Sequence, residues 1–169
     1  MEIYIRHLFK IFKPSSMRQL LIVSFCTIFF GLILAPAAQA QWSEDRLQSL
    51  YMDFLEDKGI PGRVDSDGDV QFEYNDRTYF IEVNENDNEF FRVVLFNIWP
   101  VESSSEAVEV AFACNEVNRQ MKVAKAYITN DNVWMACELF VGNPADFEEV
   151  FERCLEVIDS GVEIFVENM

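Results

Sequence analysis

Histidine is almost missing from this chain: among its 169 residues there is one, His7, close to the N-terminus. Downstream of it, Ser-His-acid and Cys-His nucleophilic sites and histidine zinc sites are excluded, because each needs an imidazole. No C-x-x-C pair occurs, and glycine is scarce, with six residues and no phosphate-cradling loop or dinucleotide fingerprint among them. Positive charge is scarce too. Thirteen Lys and Arg stand against 29 Asp and Glu, a net charge of -16, and such a chain repels nucleic acid and anionic lipid headgroups. A carboxylate pair of glycosidase type cannot be read from spacing here, since in so acidic a chain any two acids resemble one. We therefore expect no enzyme, no cofactor and no metal.

What the chain does have is apolar mass. Half of its residues are hydrophobic and 16 are Phe, enough for one domain with a sizeable core. The first 40 residues read as a signal peptide. The uncharged run from Leu20 to Ala35 follows Arg18, and Ala38 and Ala40 stand where a signal peptidase expects small residues, so cleavage is expected after Ala40. Met17 is the expected start, because it gives a compact leader; the rival reading keeps the run as a membrane anchor. With removal, the protein is periplasmic or secreted, free of the membrane, with a domain over 41–169. There Cys114, Cys137 and Cys154 remain, an odd number in an oxidising space. Two states are open: three buried thiols, or one internal bridge whose pairing spacing does not reveal.

The element order is α-β-β-β-α-β-β-α. Ser43 precedes a helix carrying Leu47, Leu50, Tyr51, Phe54 and Leu55 at helical spacing up to Gly59. Strand-like runs "VQFEYN", "RTYFIEVNE" and "EFFRVVLFNIWP" follow, separated by Asn- and Asp-rich turns. A second helix bears Val110, Cys114, Val117 and Met121; then "VAKAYITN" and "VWMACELFV" form a hairpin. The last helix is expected to start at Pro144, capped by Asn143. The fold class is α+β, a five-stranded antiparallel sheet flanked by three helices.

"VDSDGDVQFEYND" resembles a calcium loop, but Gly68 falls at the fourth position from Asp65 and Asp76 at the twelfth, where a Gly at the sixth and a Glu at the twelfth are needed. Asp67-Gly68-Asp69 reads instead as the turn opening a strand. Lys125 is expected to pair across the sheet with Glu138. Asn115 and Asn118 are expected to serve as caps or helix-to-strand hydrogen bonds, so these four form a candidate polar network.

The hairpin "DGDVQFEYNDRTYFIEVNENDNEFFRVVLFNIWP", the segment "ACNEVNRQMKVAKAYITNDNVWMACELFV" and the helix with "FERCLEVI" together resemble the YbjN-like proteins, whose fold is similar to type III secretion chaperones. The resemblance implies a helix-flanked antiparallel sheet, no established catalysis, and a role in protein contacts, often with dimerisation. The leader sets this chain apart from cytoplasmic secretion chaperones.

The expected function is thus an exported, non-catalytic protein-interaction module of chaperone-like architecture with an unidentified protein partner; the alternative is a small-ligand binder with a pocket between helix and sheet. A homodimer is expected because the third and fifth runs are apolar on both sides, unlike a sheet with one wet face. Phe90, Val94, Phe96, Ile98, Trp134 and Phe140 mark the candidate dimer face, opposite the first and third helices. The competing arrangement places the second helix over it, leaving a monomer.

Overall fold

The structure is a computed structural model and describes residues 42–169. The proposed signal peptide and its cleavage site lie outside the described residues. Chain contacts divide the protein into residues 1–40 and 41–169, and every described residue belongs to the second unit.

Helix α1, Glu44–Asp57, begins after Ser43, whose extended backbone places its carbonyl to accept from the N–H groups of Arg46 and Leu47, while its hydroxyl caps nothing. Glu44 and Asp45 sit at the positive end of the helix dipole. Gly59, at φ 69°, closes the helix: its N–H donates to Glu56, and that of Ile60 to Leu55, satisfying carbonyls the helix leaves open.

The sheet has six strands in the order β1-β2-β3-β4-β6-β5, every neighbour antiparallel: β1 Gly62–Val64, β2 Val70–Tyr74, β3 Arg77–Ile81, β4 Phe90–Pro100, β5 Ala124–Thr129 and β6 Asn132–Phe140. This corrects the expected five. β1 escaped because three residues pairing with Val70–Phe72 carry no apolar alternation; main-chain hydrogen bonding alone defines it. The two tight hairpins turn on Asn75-Asp76 and Asn130-Asp131, all four at φ near 50–60°. Asn and Asp tolerate this left-handed region, and the resulting twist matches that of the strands.

The helix count also changes. Asn143 and Asp146 form a reciprocal capping box, but Pro144–Glu149 is a separate 3-10 helix and the α-helix starts only at Phe151, which makes four helices among the described residues where three were expected. Val150, at φ -114° and ψ -12°, breaks the path between them. The break lets Phe147 and Phe151 both meet Phe54 edge-on, with centroids 4.8 and 5.0 Å away. Helices α2, Ser104–Gln120, and α3, Phe151–Glu167, complete the unit.

The three α-helices among the described residues lie on one side of the sheet. Phe72, Tyr79, Phe91, Val93, Met135 and Cys137 point into a single core shared with Leu55 of α1, Val117 of α2 and Phe165 of α3. The arrangement that puts α2 on the far face is therefore wrong: α2 packs against β5 and α3. Gly161 allows the approach, since a Cβ there would stand 3.4 Å from Val117 Cγ1 and only 2.6 Å from Met135 Sδ. No helix among the described residues is long and apolar enough to cross a membrane.

Candidate functional site

Among the described residues the other side of the sheet carries no helix, yet it is not a polar surface. Phe80 on β3, Phe96 on β4, Trp134 on β6 and Tyr127 on β5 form a chain of rings, with centroids 4.6, 4.2 and 6.1 Å apart in that order. Between them Val94 pairs with Phe80 and with Ala136, and both small residues are buried without belonging to the helix-side core. The rings themselves stay partly open. The Trp134 indole N–H is buried with no acceptor among the described residues, although a buried Trp ordinarily finds one.

One step along the strands a charged row crosses the same face. Arg92 is half-buried at its centre, bonded to the Glu82 carboxylate and to the Tyr127 hydroxyl, with Nε 3.1 Å from Glu138 Oε1 but not aligned as a hydrogen bond. Lys125 Nζ lies 3.4 Å from Glu138 Oε2 and 5.3 Å from the centre of the Tyr127 ring. Two cations thus face two carboxylates. Burial pushes the Tyr127 hydroxyl above its ordinary pKa, Arg92 opposing and Glu138 and Glu82 adding to the rise. A further row closes the face, Phe90 against Phe140 at 5.5 Å, with Phe140 76% exposed.

Of the six residues of the candidate dimer face, Phe90, Phe96, Trp134 and Phe140 line this open side, and Val94 is buried beneath it. Ile98 does not belong. A bulge between Leu95 and Trp99, with Asn97 at φ 54°, breaks the alternation, so Ile98 packs beside Trp99 against the helix-side core. The candidate polar network is divided likewise. Lys125 and Glu138 meet on the open face, Asn115 is exposed on α2, and Asn118 bonds the main chain of Ala126 on the edge strand β5.

The calcium-like segment is a turn docked on α1. Asp65 Oδ1 accepts the N–H groups of Asp67 and Asp69, Asp69 Oδ1 accepts that of Val83, and Gln48 Nε2 donates to the Gly68 carbonyl. The side-chain oxygens are thus turned to the protein's own N–H groups.

Sequence reasoning missed a second feature. At the rim of the helix side, Val123, Cys137, Leu139, Val150, Arg153, Cys154 and Val157 line an apolar hollow of about 160 Å³. Val123, 51% exposed at its mouth, holds φ 57°, a conformation costly for a β-branched residue. Its carbonyl accepts the Glu138 N–H, which ties the strained residue to β6. No pattern of apolar residues announces such a hollow, because its walls come from β6, α3 and the approach to β5.

Compared with known proteins, residues 45–164, well over half of the chain, match the family profile TY-Chap1, described as T3SS (YopN, CesT) and YbjN peptide-binding chaperone 1. Among solved structures, the crystal structure of YbjN from E. coli is similar at 16% identity and a TM-score of 0.49, over 66% of this chain and 85% of that one. No curated protein matches.

Proposed function

We infer the function from one established relationship: the chain belongs to the TY-Chap1 family of T3SS (YopN, CesT) and YbjN peptide-binding chaperones. Binding of polypeptide, with no chemistry performed on it, is the activity such membership supports. In our reading the protein is an exported, non-catalytic interaction module that holds a client polypeptide and pairs with a second copy of itself through the helix-free face.

The helix-free aromatic face carries this reading. Among the described residues three α-helices crowd one side of the sheet while rings from four strands remain partly open on the other. Contiguous exposed apolar surface of this kind is uncommon on monomers, and aromatic side chains dominate the energy of protein interfaces. A two-fold pairing suits a face whose charged row is internally balanced, because two copies then meet without net repulsion. The hollow behind Val123 suits a client side chain better than a small-molecule ligand: about 160 Å³ holds a benzene-sized group, whereas ligand pockets run from roughly 300 Å³ upward. Export is supported by the Leu20–Ala35 run and the Ala38-x-Ala40 site, and the acidity of the chain suits solubility outside the cell.

Light scattering on the purified protein at micromolar concentration tests the pairing. Twice the monomer mass is expected, falling to the monomer in Phe96→Ser/Trp134→Ser with far-UV circular dichroism unchanged; a monomer at every concentration rejects the dimer. For the client, a photo-crosslinking benzoylphenylalanine at Val123 is expected to capture defined polypeptides that the same group at Val166, equally exposed on α3, does not. Equal capture at both positions rejects the hollow as the client site.

A further inference from the structure

Among the described residues, two of the three cysteines meet beneath the hollow. Cys137 on β6 and Cys154 in the second turn of α3 are both buried, and their sulfurs stand 2.8 Å apart, closer than non-bonded sulfurs ordinarily approach. Cys114, also buried, lies on α2 and has no part in this contact. The two cysteines also line the hollow, so the space a client side chain would use is also a route by which a small oxidant reaches sulfur from outside.

We propose that Cys137 and Cys154 are a disulfide-forming site, its substrate a small-molecule disulfide, with Cys114 left as a free thiol. In the first step a Cys137 thiolate attacks one sulfur of the incoming disulfide, forming a mixed disulfide and releasing the other sulfur as a thiolate. Cys154 then loses its proton and attacks the Cys137 sulfur of that mixed disulfide, closing the Cys137–Cys154 bond and expelling the second thiolate. Two protein thiols are oxidised, one disulfide is reduced to two thiols, and the two protons pass to the leaving groups. The contact between the two sulfurs and their burial act on both thiols together, lowering Cys137 and raising Cys154; the same bond results whichever of the two attacks first.

The bond would tie the sheet to α3 across the turn between them and set two walls of the hollow at fixed distance. Closing a loop of this length stabilises chiefly by restricting the unfolded chain. The proposal is independent of what the hollow binds, and needs only the two sulfurs and a disulfide of ordinary reactivity.

The purified full chain, reduced and then equilibrated in glutathione buffers of rising oxidised fraction, decides the matter after acid quench, alkylation and tryptic mapping. Cleavage after Arg18, Arg46, Arg92, Arg119, Lys125 and Arg153 places all four cysteines of the full chain, Cys26 included, on separate peptides. The expected product joins the Cys137 and Cys154 peptides, two hydrogens lighter than their sum, with Cys114 alkylated, and its melting temperature exceeds that of the reduced form by several degrees. Cys114→Ser should keep the bridge, and Cys154→Ser should lose it and leave Cys137 as a single thiol or a glutathione adduct. Because a serine variant can fold poorly, the unmodified chain is also refolded from denaturant in oxidised glutathione. Full alkylation of both Cys137 and Cys154 in both treatments, or a bridge that includes Cys114, overturns the proposal.

Discussion

The carboxamide of Asn118 takes both main-chain polar groups of Ala126: its Nδ2 donates to the Ala126 carbonyl at 2.9 Å and its Oδ1 accepts the Ala126 N–H at 2.8 Å. Ala126 lies on β5, the last strand of the sheet, so a side chain of α2 stands where a seventh strand would otherwise pair. An open edge invites pairing with other chains, and this amide closes its middle.

Asn118→Ala should remove both bonds and lower stability by about 1–3 kcal/mol. Asn118→Asp should fall between, since a carboxylate still accepts from the Ala126 N–H but leaves its carbonyl unpaired. Urea midpoints at constant m-value measure the series. An alanine variant as stable as the parent would show that water replaces the amide at no cost.

Arg92 holds Glu82, Glu138 and Tyr127 together on the open face. Arg92→Met leaves two carboxylates near each other with Lys125 alone to offset them, and a loss of about 2 kcal/mol is expected for so incompletely buried a cluster. In the Glu138→Gln background the same change should cost clearly less, giving a coupling of about 1 kcal/mol in a double-mutant cycle. Strict additivity would mean that Arg92 and Glu138 do not act as a pair.

Gly161→Ala sets a helix-propensity gain of roughly 0.5–1 kcal/mol against overpacking of about 1–3 kcal/mol. The added methyl would lie 2.6 Å from Met135 Sδ, and Met135 is fully buried, so its side chain has to shift within the core. Net destabilisation is expected, with the penalty smaller in a Met135→Val background, which has no atom at the sulfur position. Thermal melts of the four proteins check this; a more stable Gly161→Ala would show that the Met135 side chain yields to the added methyl.

Asp69 is raised above the ordinary carboxylate range chiefly by burial, against the lowering hydrogen bond from Val83, with Glu82, Asp65 and Asp67 adding to the rise. A carboxyl whose folded pKa exceeds its unfolded value favours folding below the unfolded pKa and loses that contribution as pH rises through the folded one. Asp69→Asn keeps an oxygen for the Val83 N–H without the charge. Its melting temperature should therefore exceed the parent's at pH 7 and approach it as pH falls toward 4. A gap constant with pH would count against burial of the charge as the cause.

Much of this fold is legible in residue order because local chemistry decides it. The Leu47–Leu55 stripe makes α1 and Gly59 ends it, Asn-Asp pairs make two hairpins, and Val70, Phe72, Tyr79 and Ile81 alternate as inward-facing strand residues do. The resemblance to YbjN-like proteins rests on the same run of elements, and the family match bears it out.

Other features were settled only by packing. Nothing local to Gly62–Val64 marks a strand, because its partner is a distant backbone. The bulge at Asn97 turns Ile98 to the core against its alternation, and α2 joins the side already occupied because Gly161 opens room beside Val117 and Met135. The meetings of Cys137 with Cys154 and Asn118 with Ala126 belong to the same class. Periodicity states which face of an element avoids water; which element it avoids water against is chosen by the whole core at once, through volumes and hydrogen bonds that no short window of residues contains.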